Sequence, residues 1–311
     1  MLICFAACEK APDSSGEKSL VAIVLDTGPG VKSKDPSDDS AVSDVNLLVY
    51  NSRSGMLEEH LWLDSKTFTG GKITMTLLRN VRYTVAACIN FGYKIQDVPT
   101  LEKLKEFRYY MVYPDEYSLG LPMAALREGF TPGQDEGPLI LKAERLMARI
   151  TLTIDRSGLD KDVIMTVAEA EIGGCPRSVT PFDSSRPTGR SDVFSKGFFK
   201  KGIPVNDLNI NSGEGRKSRS VDLYMLESLS GELPAMDNPT LVAVYPYIQL
   251  KIDYIAPGVY AGIGKWLTYR FCIGEKEGNA DIKRNTRYHF TVCPQGTGLS
   301  GEPSWKVEFT N

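Results

Sequence analysis

The chain has 311 residues, a formal charge of −3 and 42% hydrophobic residues. That length allows two domains on the usual scale of about 150 residues each. The near-neutral balance gives no electrostatic footprint for nucleic acid or an anionic membrane surface. After the first few residues no apolar run approaches the roughly 20 residues of a membrane-spanning helix.

The chain opens on Leu2-Ile3-Cys4-Phe5-Ala6-Ala7-Cys8, a short apolar run ending in small residues and a cysteine, and then turns polar from Glu9 to Lys18. This is the tail of a lipoprotein signal, in which the cysteine becomes the lipidated first residue of the mature protein. Cys8 is therefore expected to carry acyl chains, with everything after it outside the cytoplasm. One acyl chain anchors only marginally, and lipoproteins meet the need by carrying several. No basic residue precedes the run, and the run is short against the usual 7–15 or so apolar residues. The start codon is accordingly expected upstream, or the leader is degenerate.

Residues 1–19 thus read as leader remnant and polar tether. The first strand is expected over Leu20, Val21, Ala22, Ile23, Val24 and Leu25. A Gly-, Pro- and Asp-rich stretch follows over residues 26–39. Its Asp35, Asp38 and Asp39, with Asp44, read as a solvated loop, calcium being the alternative. From there period-two alternation dominates, which argues half-buried strands. Ile73, Met75 and Leu77 alternate with threonines, and Val81, Tyr83, Val85, Ala87 and Ile89 with more polar neighbours. One short helix is expected over residues 100–107, with Thr100 as N-cap after Pro99 and Leu101, Leu104 and Phe107 near one face.

A closing strand at residues 138–141 and a new alternating series at Ile150, Leu152 and Ile154 place a boundary near residues 142–146. Residues 20–143 and 144–311 then form two domains, the second with a long excursion over residues 183–215. Later strands are marked by Ile248, Leu250, Ile252 and Tyr254, and by Trp305, Val307 and Phe309. Many short strands with turn signals between them predict an all-β fold of tandem antiparallel sandwiches. No helix is long enough for βαβ units.

Signatures of chemistry are sparse. The chain has two histidines, and neither His60 nor His289 has a ligand partner at helical or strand spacing. No Gly-x-Ser-x-Gly elbow is present. Gly262-Ile263-Gly264-Lys265 lacks the leading glycine and the Ser or Thr of a phosphate loop, and a strand follows it; it reads as a turn. The cluster Arg216, Lys217 and Arg219 reads as an exposed loop. Six cysteines are present without Cys-x-x-Cys spacing, so no thiolate metal site is expected. Cys272 and Cys293 each oppose the apolar face of a strand. If those strands pair as a hairpin, the two thiols share a side, as a disulfide or as two half-buried thiols. No cofactor, metal or catalytic residue is expected, and the protein reads as no enzyme.

Several segments, in order, carry a resemblance. They are Asp44-Val45-Asn46-Leu47-Leu48-Val49-Tyr50, the run from Arg79 to Asn90, Leu146-Met147-Ala148-Arg149-Ile150, the stretch from Tyr224 to Gly231, and Arg284-Asn285-Thr286-Arg287-Tyr288. With the leader, they make the chain similar to the FimB-like anchor subunits of type V fimbriae of Bacteroidales. Ser228 stands where that family usually has asparagine. The resemblance implies two transthyretin-like β-sandwiches, a fimbrial stalk subunit as partner, and attachment to the cell outer membrane through Cys8. It also implies assembly by strand exchange, in which an outer-membrane protease, often arginine-directed, removes an N-terminal strand and a neighbour's strand fills the groove.

This chain departs from that scheme. Its first arginine is Arg53, beyond the second strand at residues 45–50, so no arginine-directed cut frees residues 20–25 alone. A chain tethered at Cys8 would also lose its anchor with that strand. The expectation is an anchor that keeps its first strand and joins the fibre as a donor, through a C-terminal strand carrying Trp305, Val307 and Phe309. Lysine-directed cutting at Lys32 or Lys34 is the opposing case. Two alternatives stand beside the anchor: a stalk or tip subunit of the same superfamily, and a lipid-anchored glycan-binding sandwich. Among Trp62, Trp266 and Trp305, the last alternates with core residues and Trp266 is the expected exposed ring.

Overall fold

The computed structural model describes residues 16–28, 40–68, 72–113, 120–135, 137–185, 187–188, 193–194, 199–201, 218–233, 245–255, 265–276, 278–299 and 305–310. Cys8, the loop acids Asp35, Asp38 and Asp39, the basic residues Arg216 and Lys217, and the Gly262–Gly264 turn lie outside the described residues.

The first half of the chain forms β1 (Lys18–Asp26), β2 (Val45–Asn51), β3 (Leu57–Leu63), β4 (Lys72–Leu78), β5 (Tyr83–Ile89), helix α1 (Leu101–Glu106), β6 (Tyr109–Tyr110), β7 (Met123–Phe130), β8 (Leu139–Lys142) and β9 (Glu144–Arg145). Two sheets result, a three-stranded one in the order β4-β1-β8 and a five-stranded one in the order β3-β2-β5-β7-β9. Val21, Ile23, Ile73, Leu77, Leu139 and Leu141 of the first sheet meet Val45, Leu47, Val49, Val85, Ala87, Ile89 and Met123 of the second in one core. Helix α1 has the expected cap: the Thr100 hydroxyl accepts from the Lys103 amide at 3.2 Å.

The second half repeats this plan with β10 (Met147–Asp155), β11 (Ile164–Gly173), β12 (Cys175–Pro176), β13 (Ser178–Val179), β14 (Val193–Phe194), β15 (Phe199–Lys201), β16 (Ser218–Leu226), β17 (Tyr247–Ile255), β18 (Lys265–Cys272), β19 (Arg287–Val292) and β20 (Trp305–Thr310). Its sheets run β16-β10-β19 and β15-β11-β17-β18-β20. Ala148, Ile150, Leu152 and Ile154 alternate inward along β10 onto Ile248, Leu250, Ile252, Leu267 and Tyr269. The main sheets of the two halves follow one plan. The opening strand of each pairs antiparallel with a middle strand (β1 with β4, β10 with β16) and parallel with a late strand (β1 with β8, β10 with β19). Those parallel pairs depart from a purely antiparallel expectation.

A third apolar cluster joins the halves. Leu48, Tyr50, Ala86, Cys88 and Ala124, on the outer face of the first five-stranded sheet, pack with Leu104 and Tyr109 and with Leu146, Met147, Val179, Tyr224 and Leu226 of the second half. Strands β2 and β5 are therefore covered on both faces, and every residue of β5 is buried. That is why Val45-Asn46-Leu47-Leu48-Val49-Tyr50 reads as a continuous apolar run where a strand covered on one face alternates. The short pair β6–β13 links the halves through backbone bonds as well.

Buried polar groups tie loops within each half. Arg284 is 9% and Glu227 6% exposed. The Arg284 guanidinium donates to Glu227 Oε2 through Nε at 2.9 Å and through Nη2 at 2.5 Å, and also to the carbonyls of Pro181 and Thr180, each at 2.9 Å. In the first half, Asn90 holds a left-handed φ of 60°. It donates to the carbonyls of Ala41 and Leu121 and accepts from the Ser43 amide. A Cβ at Gly120, whose φ is +137°, would stand 2.5 Å from the Asn90 side-chain nitrogen, so only glycine fits there.

Removing one partner of a buried ion pair leaves the other uncompensated. Arg284→Met is expected to cost about 3–5 kcal/mol, and adding Glu227→Leu to recover most of that loss. Urea denaturation of both variants checks this; a single variant within 1 kcal/mol or so of the parent would refute it.

Candidate functional site

The residues that sequence reasoning singled out for assembly lie in the first and last strands. In β1, Val21 and Ile23 point into the core, Ile23 with 0% exposure, while Leu20 on the opposite face is 73% exposed. The strand is held from both sides. It is antiparallel to β4 in seven register pairs from Lys18↔Leu78 to Val24↔Lys72, and parallel to β8 in four from Ile23↔Leu139 to Asp26↔Lys142. Beyond its end the Ala143 amide donates to the Asp26 carbonyl at 2.8 Å. Residues 20–25 thus form the centre of a sheet, and taking them away would bare two edges at once.

Arg53 stands exposed in the turn between β2 and β3, its amide held by Asn51 Oδ1 at 2.9 Å. A cut there would detach β2 along with β1. The sheet core runs through β2, so such a cut removes far more than a terminal strand.

At the other end of the chain β20 is an edge strand. It pairs antiparallel with β18 in six register pairs, from Trp266↔Thr310 to Phe271↔Trp305. The side chains of Trp305, Val307 and Phe309 lie outside the described residues. The connection that brings the chain back to β18 is well anchored: the Tyr254 hydroxyl donates to Thr297 O at 2.5 Å and the Tyr269 hydroxyl to Gly298 O. Burial pushes the Tyr269 phenol well above its ordinary range, so it stays a neutral donor.

The remaining sequence candidates scatter. His60 Nε2 sits 3.1 Å from Asn46 Oδ1, and burial, with Lys94 adding to it, lowers its pKa. His289 is exposed on β19. Asp44 is buried and accepts from the Phe91 and Gly92 amides, so it belongs to the β5 turn and to no cation site. Among the described residues no group of three or more His, Cys, Asp or Glu side chains is placed to hold a metal. Trp266 is 38% exposed, as its register implied, but the Lys251 ammonium lies 4.5 Å from its ring centroid and covers one face.

The hairpin premise for Cys272 and Cys293 fails. Strands β18 and β19 belong to opposite sheets, and both thiols are free. A strand that follows another in sequence need not pair with it, and here β18 pairs with β17 and β20.

Sequence reasoning named no strand at β3, β7, β11 or β16, where apolar and polar residues do not alternate cleanly, nor at β6, β9, β12, β13 and β14, each two residues long and too short for any alternation to show.

No protein-family model and no curated protein sequence matches the chain. Solved structures do match in fold. A putative cell adhesion protein from Bacteroides eggerthii aligns over 95% of this chain and 95% of its own, with a TM-score of 0.61 and 14% identity. The tip fimbrial protein Mfa3 from Porphyromonas gingivalis aligns over 94% of this chain and 99% of its own, with a TM-score of 0.54 and 11% identity. A fimbrilin (FimA) from the same species aligns over 93% and 96%, with a TM-score of 0.54 and 13% identity. The chain therefore has the all-β, two-sandwich fold found in these fimbrial and adhesion proteins.

If β1 is structural, its two faces should differ sharply. Ile23→Ala should lower stability by about 2–5 kcal/mol, and Leu20→Ala by less than about 0.5 kcal/mol. Equal effects in urea denaturation would show that β1 is not packed into the first sheet in solution.

Proposed function

We propose that this chain is the lipid-anchored base subunit of a cell-surface fimbria, held in the outer membrane through acyl chains on Cys8. It works by surfaces and strands and performs no catalysis. The carrying observation is the position of β1 between β4 and β8, ten residues downstream of Cys8. A tether and a central strand on one continuous segment transmit load from membrane to sandwich core. Cutting between them and the body would lose both.

The likeness in fold to fimbrial proteins supports a fimbrial role and does not choose among base, stalk and tip. The acylation proposed at Cys8 favours the base. The partner on this reading is a stalk subunit, reached through β20, whose outer edge has no neighbouring strand among the described residues. Offering β20 in full means releasing its six register pairs with β18. A neighbour adding a strand to the outer edge of β20 would leave them intact. On the glycan-binding alternative, a sugar would have to stack on the face of Trp266 that Lys251 does not cover.

Mass spectrometry of the protein from outer-membrane fractions is expected to find acylated Cys8 as the first residue, and Cys8→Ser to release the protein into the soluble fraction. A mature N-terminus beyond Leu25 would overturn the base assignment.

A further inference from the structure

The junction of the two halves holds a cleft that the proposed assembly does not use. Its volume is about 260 Å³, and it lies where the chain leaves β1 at Thr27 and Gly28, where β9 gives way to β10, and where β19 begins. The apolar part of its lining is Leu121, Ala143 and Met147, all buried. Three arginines complete it: Arg145 from β9, Arg149 from β10 and Arg287 from β19. Among the described residues no acid lines it.

Gathering these cations has an electrostatic cost. Arg149 and Arg287 are register partners in the parallel pair of β10 with β19, so their side chains leave the same face of that sheet. It is the outer face, since Ala148 and Ile150 on either side of Arg149 belong to the core. Like charges side by side on adjacent strands repel. One acid answers them: Asp222 Oδ2 accepts from Arg149 Nη2 at 2.5 Å, while its Oδ1 accepts from the Thr151 hydroxyl at 2.7 Å. Arg287 is exposed, and no ion pair to it forms among the described residues. Arg145 enters from the other half, its Nη1 3.4 Å from Asn285 Oδ1. Beside the cleft, Asp26 Oδ1 already accepts from the Gly28 amide at 3.0 Å.

We infer that this cleft binds an oxyanion, a carboxylate or a phosphate, carried on a small hydroxylated molecule of about monosaccharide size. A guanidinium matches either group with two parallel N–H donors. An anion beside Arg149 and Arg287 also turns their repulsion into attraction. The rest of the lining suits the rest of such a molecule. Asn285 turns its Oδ1 to Arg145 and keeps its amide NH2 as a donor, and the Thr286 hydroxyl, which donates to the Arg284 carbonyl at 3.0 Å, keeps an oxygen that accepts. Leu121, Ala143 and Met147 offer contact to a carbon face. The volume lies just under the range of about 300–1,000 Å³ typical of drug-sized ligands, which limits the occupant to a single small unit. The site takes no strand from a neighbour and does not depend on the fimbrial reading.

The test is a titration of the isotope-labelled full chain, followed by NMR, with glucuronate and glucose 6-phosphate as probes. At least one is expected to give saturable shifts at the amides of Gly28, Thr286 and Arg287. Glucuronate alone would assign a carboxylate, glucose 6-phosphate alone a phosphate, and either outcome supports the site. Glucose and inorganic phosphate are expected to bind weaker by about tenfold or more, since each lacks half of the recognised chemistry. Arg287→Gln, at an exposed position that leaves the fold intact, should weaken the better probe by about tenfold or more, and Arg145→Gln likewise. Arg53→Gln, in the turn between β2 and β3, should leave it unchanged. No saturable shift, inorganic phosphate binding as well as the better probe, or Arg287→Gln binding like the parent would overturn the inference. None of these results bears on acylation of Cys8, so the two readings fail separately.

Discussion

A strand at the centre of a sheet has two hydrogen-bonding edges to satisfy and one face to bury, and β1 meets all three conditions. Its amides and carbonyls are shared between β4 and β8, and Val21 and Ile23 fill the space above β2 and β5. Leaving that position empty would expose apolar side chains and two unpaired ladders together, where each unmade buried bond costs about 1–3 kcal/mol. The order of the first sheet depends on this strand.

The second constraint is the junction. Strands β2 and β5 are buried on both faces because the second sandwich, helix α1 and the segment around Tyr109 cover their outer side. The halves are thereby joined through a packed apolar layer, and within the second half Arg284 pairs with Glu227. Burying that pair is not cheap, and a well-packed apolar substitute would serve stability equally well. Its use is geometric. One guanidinium binds the carboxylate and two loop carbonyls, which fixes residues 180–181 against the start of β19.

The two halves close unequally, β20 flanking β18 along six register pairs and β9 flanking β7 along two. Two units with one strand plan end differently because one chain end must cross into the next unit while the other is free to turn back. The short flank of the first unit follows from connectivity and would persist under most changes of sequence. The long flank of the second follows from the link at residues 293–304, pinned by Tyr254 and Tyr269.

Strand existence and facing were legible in the residues. Alternation along β10 and β17 gave the buried sets because each has one core face, and Thr100 marked the helix start through its hydroxyl. Strands were also expected at residues 20–25 and around Trp305, where β1 and β20 stand. Pairing could not be read, because period-two patterns say which side of a strand is apolar and nothing of which strand lies beside it. So the separation of β18 from β19 and the parallel contact of β1 with β8 emerged only from the folded chain. The sequence by itself determined local conformation and burial, through side-chain periodicity and turn chemistry. Tertiary structure alone decided neighbours and edges, since these depend on contacts between residues far apart in the chain.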